Sequence, residues 1–174
     1  MTSETTSDVF RNGRFEPDEW RPLGPDEAIP AEGGVILPYA YALAEREALA
    51  GENRPLGVLV RPGDDVEAIG EMVHRFAVVA VAFPAFTDGR GYSTARLLRE
   101  EMGYRGEVRA VGNVLLDQIP LMRRCGIDAF VVANAPTRRR LAEGRTAEGD
   151  LYLQPVGLAE PAAGGRPWAR RKAS

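Results

Sequence analysis

Ala77-Val78-Val79-Ala80-Val81-Ala82-Phe83 is a continuous apolar run, and Phe86-Thr87-Asp88-Gly89-Arg90-Gly91-Tyr92-Ser93 follows almost at once. A run with apolar residues at both parities is what a strand covered on both faces requires, which is the situation of a central strand in a parallel sheet. The Thr87–Gly91 turn opens onto a stretch with Ala95, Leu98 and Met102 at helical spacing, and Gly103 stands where a helix of that length would end. Strand, glycine-rich turn and helix in this order form the first part of a βαβ unit.

The same pattern extends in both directions. Upstream, Val35–Pro38 reads as a short strand followed by a helix over Tyr41–Leu49 that ends at Gly51-Glu52-Asn53. Leu56–Val60 is the next strand, and Gly63-Asp64-Asp65 supplies the cap of a helix carrying Val66, Ile69, Val73 and Phe76. Downstream, Glu107–Val111 is a strand. Either Asn113 or Asp117 then caps the following helix, and Asp117 is favoured because it leaves Pro120 in the first turn. That helix ends at Gly126. Ala129–Val132 is a further strand, Arg138–Glu143 a helix, and Leu151–Leu153 an edge strand. The fold class is therefore α/β: a single domain of about five βα units with a mainly parallel sheet, built as a doubly wound open sheet or as a partial barrel. Both arrangements bind ligands at the carboxyl ends of the strands, here the loops after Val60, Phe83, Val111 and Val132.

Residues 1–17 show no periodicity and read as a disordered or extended arm, with Trp20 anchoring that arm on the α/β domain of residues 18–155. Residues 156–174, with Gly164-Gly165 and Arg170-Arg171-Lys172, read as a flexible tail. The start of the chain lacks a basic segment followed by an apolar one, no run approaches the roughly 18 apolar residues of a membrane span, and cytoplasm is the expected setting. A net charge of −3 argues against nucleic acid as the partner.

Cys125 is the only cysteine and His74 the only histidine. One chain with this inventory cannot ligate an iron–sulfur cluster or a structural zinc, nor form a redox pair of cysteines. No metal site is expected, and no cofactor in the isolated chain; whether a flavin or sulfite binds stays open. Cys125, just before Gly126, reads as a small buried hydrophobe. Of 22 basic residues, 21 are arginine, so only the placement of an arginine is informative.

The loop after Phe83 is the best-placed candidate site. Asp88, Gly89, Arg90, Gly91, Tyr92 and Ser93 lie at a strand's carboxyl end and open a helix, where free N–H groups and the helix dipole favour an anion. Ser93 or Thr94 is a candidate cap, and Arg96 and Arg99 follow on the helix. The alternative is architectural: Asp88 pairs with Arg90, and Glu100 neutralises Arg96 four residues away. Arg109 lies inside a strand on the same face as Glu107 and Val111, so it needs a partner. Asp88, Asp117 and a bound anion are the candidates, the carboxylates being favoured. Arg109, Asp117 and Arg124 are accordingly read as structural or supporting residues; no catalytic residue is identified.

Phe83-Pro84, Phe86-Thr87-Asp88-Gly89-Arg90-Gly91-Tyr92-Ser93 and Ala95-Arg96-Leu97-Leu98-Arg99 together resemble the hallmark of an uncharacterised bacterial family described as oxidoreductases involved in sulfite reduction. Gly106-Glu107-Val108-Arg109-Ala110-Val111-Gly112, Asp117-Gln118 and Arg124-Cys125-Gly126 fit the same family. The resemblance spans about residues 18–155 and is strongest over 83–130; Val108, Asn113 and Ile127 stand where Leu, Asp and Phe are usual. It implies an accessory protein of assimilatory sulfite reduction and cysteine biosynthesis, partnered by a sirohaem-dependent sulfite reductase or its electron donor. In that setting the hallmark arginines contact an acidic partner or hold a small anion such as sulfite. Two alternatives stand beside it: a flavin- or nicotinamide-dependent oxidoreductase of sulfur metabolism, and a structural binding module without a ligand. Oligomeric state is not legible.

Overall fold

The computed structural model describes residues 8–24 and 27–145. Eight strands form one sheet: β1 (Asp8–Arg11), β2 (Arg14–Pro17), β3 (Trp20–Pro22), β4 (Gly34–Pro38), β5 (Leu56–Val60), β6 (Phe76–Phe83), β7 (Glu107–Gly112) and β8 (Ala129–Phe130). The α-helices are α1 (Tyr39–Ala44), α2 (Arg46–Ala50), α3 (Arg90–Glu100), α4 (Ile119–Arg124) and α5 (Ala135–Ala142), and a 3₁₀ helix spans Val66–Arg75. No helix among the described residues is long and apolar enough to cross a membrane.

The strand order β2-β1-β8-β7-β6-β5-β4-β3 chooses between the two architectures left open above. From β3 to β8 the strands are parallel and follow one another in space as in sequence. Every right-handed crossover then steps in the same direction and sets its helix on the same face. A doubly wound sheet would need a reversal of strand order. The result is a curled half-barrel with helices outside.

Both faces of β6 are used, as its composition requires. Val79, Val81 and Phe83 join the core shared with helix residues such as Ala95, Leu98, Ile119 and Met122. Val78 and Ala80 face the concave side, where they pack with Ile36, Trp20, Leu59 and Val111. Trp20 therefore anchors its segment by packing.

The arm expected before residue 18 is, over its described part, a hairpin. β1 and β2 pair through the tight turn at Asn12-Gly13, where φ values of 51° and 80° fit a two-residue hairpin turn. β1 then pairs antiparallel with β8, while β3 pairs with β4 at the far side of the sheet. Only Asp18 and Glu19 separate β2 from β3. Three Cα steps reach at most about 11 Å, whereas eight strands laid flat at roughly 4.8 Å spacing would hold the outer two about 34 Å apart. The short link is compatible only with a strongly curled sheet.

That link also carries a charge into the concave face. Arg109 on β7 is 1% exposed; its Nη1 donates to both Asp18 oxygens at 2.8 and 2.7 Å, and its Nε donates to Glu107 at 2.7 Å. Glu107 accepts in turn from Arg11 at 3.0 Å, and Arg11 and Arg14 share Glu16. Asp88 and Asp117, the partners expected for Arg109, are not used. They lie on loops at the carboxyl end, whereas strand alternation turns Arg109 inward toward the Asp18 link.

Local expectations are corrected in several places. The helix expected over Tyr41–Leu49 is two short helices, α1 and α2. Asp65 does cap the next helix, accepting from Glu67 N at 3.1 Å, but that helix is 3₁₀ and breaks at Gly70 (φ 58°, ψ −145°). Asp117 is not the cap of α4; Gln118 stands there, with Pro120 in the first turn as expected. Leu151–Leu153 and the tail lie outside the described residues.

Removing one partner of a buried ion pair strands the other charge. Asp18→Ala is therefore expected to destabilise the fold by about 3–5 kcal/mol, measured by urea denaturation. An unchanged midpoint would show that the link does not hold the sheet.

Candidate functional site

Phe83, the last residue of β6, organises the carboxyl end of the sheet. Its carbonyl accepts from Asn113 N at 2.7 Å, which ties the β7–α4 loop to the β6–α3 loop. Its ring lies under Gly91, where a β-carbon would come within 2.7 Å of it, so α3 can begin this close to the strand only with glycine there. Tyr92 meets the same ring edge-on, with centroids 5.1 Å apart. Tyr92 also shares a side-chain hydrogen bond with Gln118, and burial raises its phenol pKa above the ordinary value. Gln118 accepts from Leu115 N at 3.0 Å. Loops 84–89 and 113–118 therefore form one packed surface.

The 61–65 loop joins them from the other side. Arg90 Nη1 is 3.9 Å from where a β-carbon on Gly63 would stand, Asp64 accepts from Arg61 N at 2.7 Å, and Tyr39 Oη donates to Asp65 O at 2.8 Å. Three consecutive βα connections thus meet around the hallmark loop.

The site residues expected from sequence divide within this frame. Asp88, Gly89, Arg90, Gly91 and Tyr92 do come together. Gly89 is the cap position of α3, so neither Ser93 nor Thr94 caps it; Ser93 is exposed and Thr94 Oγ1 bonds back to Arg90 O at 3.2 Å. Asp88 takes over part of the capping role, accepting from Arg90 N at 3.2 Å and from its Nε and Nη2 at 2.9 and 2.7 Å. These hydrogen bonds from Arg90 hold the Asp88 carboxyl below the usual carboxylate range, and Asp88 raises Arg90 in return. The Arg90 charge is answered within the loop.

Arg96 pairs with Glu100 at 3.1 Å on the exposed face of α3. Arg99 is elsewhere. Nine residues along α3 from Arg90, it reaches the amino end of the sheet, where its Nε donates to Gly126 O and its Nη1 to Tyr104 O and Gly106 O, all within 2.9 Å. Its Nη2 contacts Asp128, which also accepts from Val108 N. Arg99 thereby ties α3 to the entries of β7 and β8. Asp117 is exposed, and Arg124 is half-buried with its Nε enclosed and without a hydrogen bond. Cys125 is buried, and burial raises its thiol pKa. Among the described residues no group of three or more His, Cys, Asp or Glu is placed to hold a metal ion.

Phe86 stands outside the site residues expected from sequence. It is 59% exposed, more than any other large apolar side chain among the described residues, and it stands beside the Asp88–Arg90 pair. The signal was present: an aromatic inside a polar glycine-rich loop has no periodic partner that would place it in a core.

The two helical arginines should respond oppositely to mutation. Arg99→Ala orphans three carbonyls and is expected to destabilise the fold by at least about 1.5–3 kcal/mol, the range for one charge-assisted hydrogen bond. Arg96→Ala should leave the melting temperature unchanged. Calorimetry of both variants provides the comparison, and equal melting temperatures would refute the division of roles.

No curated protein matches this chain, and no solved structure matches it. A family model does match over residues 57–161, which include β5 from its second residue, β6 to β8, the hallmark loop and Arg109. Its description is a bacterial protein of unknown function, DUF934. The matched segment is more than half of the chain, and the chain belongs to that family.

Proposed function

We propose that this chain is an accessory protein of assimilatory sulfite reduction that docks, through the hallmark loop, on a sirohaem-dependent sulfite reductase or on its electron donor. The pathway rests on the resemblance of the hallmark loop and of the Gly106–Gly112 block to the family described for sulfite reduction. The mode of action rests on one observation: Phe86, 59% exposed, projects from a loop whose base is fixed by Phe83, Gly91 and Asn113.

An aromatic left in water on a loop with a packed base forgoes the burial that usually recovers its hydration cost. Aromatic and arginine side chains at the centre of a patch are also the residues that most often carry binding energy between proteins. Phe86 with Arg90 fits that description. Docking is favoured over capture of sulfite because Arg90 is already engaged by Asp88, so the loop offers no unanswered cation to a small anion. A cytoplasmic setting belongs to the same proposal.

Phe86→Ala and Arg90→Ala should both remain folded, since each side chain is largely exposed. Both are expected to weaken binding to purified sulfite reductase or its donor and to slow growth on sulfate. A strain lacking the gene should require sulfide or cysteine, with sulfite giving no relief. Rescue by sulfite would refute the pathway. Wild-type growth and binding by both variants would refute the loop as the docking site.

A further inference from the structure

Because the strands from β3 to β8 lie in chain order, charge that is uneven along the sequence becomes uneven across the molecule. The helices after β7 and β8 are basic between their caps, the one carboxylate among those caps being Glu143, which pairs with Arg145 at 3.6 Å. α4 and α5, Ile-Pro-Leu-Met-Arg-Arg and Ala-Pro-Thr-Arg-Arg-Arg-Leu-Ala, hold five arginines and no carboxylate. Arg138 is turned inward, onto Asp8 and the Phe15 ring. Arg139 and Arg140 are exposed, and among the described residues neither guanidinium has a hydrogen bond or ion pair. This is the contrast with α3, whose arginines are all answered internally.

The opposite flank has the opposite sign. Glu45, Glu47, Asp65, Glu67 and Glu71 stand on or cap α2 and the 3₁₀ helix, which pack on each other, and all five are exposed. Arg46 and Arg75 are the arginines of these helices, and Arg75 spends one nitrogen on Glu52 O. α3 separates the two flanks. The molecule therefore carries two oppositely charged faces, and among the described residues neither Arg139 nor Arg140 pairs with a carboxylate of the acidic one.

We propose that the α5 face of one copy docks on the acidic 3₁₀-helix face of a second copy, head to tail. The argument is charge complementarity between two surfaces of the same chain. Such a contact is heterologous: each copy uses a different face for each neighbour, and the assembly grows as a ring or an open array. Exposed ion pairs contribute little individually and are screened by salt, so association is weak, concentration-dependent and abolished at high ionic strength. The proposal does not depend on the sulfite-reduction reading.

Sedimentation velocity of the full chain tests it at about 10 mM salt, where the Debye length is about 30 Å, and at about 1 M, where it is about 3 Å. The expected result is a weight-average mass that rises with protein concentration at low salt and returns to the monomer at high salt. R139E/R140E should remain monomeric, as should E67R/E71R, because like charges then face each other. An equimolar mixture of the two variants should associate again, since each reversed face meets its complement. All these positions are exposed, and a circular dichroism melt confirms that the variants are folded. A monomer at low salt overturns the proposal, as does association indifferent to either double reversal or a mixture that fails to restore it.

Discussion

Asp18 lies between the two strands at opposite ends of the sheet order, and its carboxylate holds Arg109 on a strand in the middle. Geometry and electrostatics act together there. The two-residue link is too short for a flat sheet, so β2 and β3 must approach each other, and the concave face becomes enclosed enough to bury a guanidinium at 1% exposure. A charge so buried is tolerable only with partners in place, and Asp18 and Glu107 are those partners. Curl and ion pair therefore require one another. Arg11, on the hairpin at the other edge, extends the chain of charges through Glu107 and Glu16.

A half-barrel with helices on one side leaves its carboxyl-end loops gathered over a short arc. Phe83 fixes two of them through its ring and its carbonyl, and Arg90 approaches the third at Gly63. The loop that carries Phe86 is thus braced from three connections, and its exposed aromatic is presented on a firm base. The amino end has its own organiser in Arg99, which gathers three carbonyls and Asp128. Two arginines from one helix serve the two ends of the sheet, and neither charge is left free. The family match begins at residue 57, so the segment that closes the concave face, including Asp18, lies outside it while Arg109 lies inside.

Much of the central fold was legible because its signals are local. Leu56–Val60 and the Ala77–Phe83 run were placed within a residue of their ends, and the buried residues of α3 follow its spacing. The cap of the 3₁₀ helix was legible in Asp65, yet its 3₁₀ character was not, since Gly70 interrupts a pattern whose apolar spacing is helical. In the site, the Asp88–Arg90 and Arg96–Glu100 pairs are legible as the architectural alternative because they sit two and four residues apart. The bond from Asp18 to Arg109 spans 91 residues, and no spacing rule reaches that far.

By itself the sequence determined the α/β class, the parallel central strands and the position of the hallmark loop at a strand's carboxyl end. Each follows from composition or from a periodicity that a few neighbouring residues impose. Tertiary structure alone decided the rest: the choice of half-barrel over doubly wound sheet, the role of residues 8–22 as strands, the partner of Arg109 and the exposure of Phe86. These depend on which strand lies beside which. That is fixed by the joint burial of side chains far apart in sequence and by a two-residue link whose meaning appears only once both of its strands are paired.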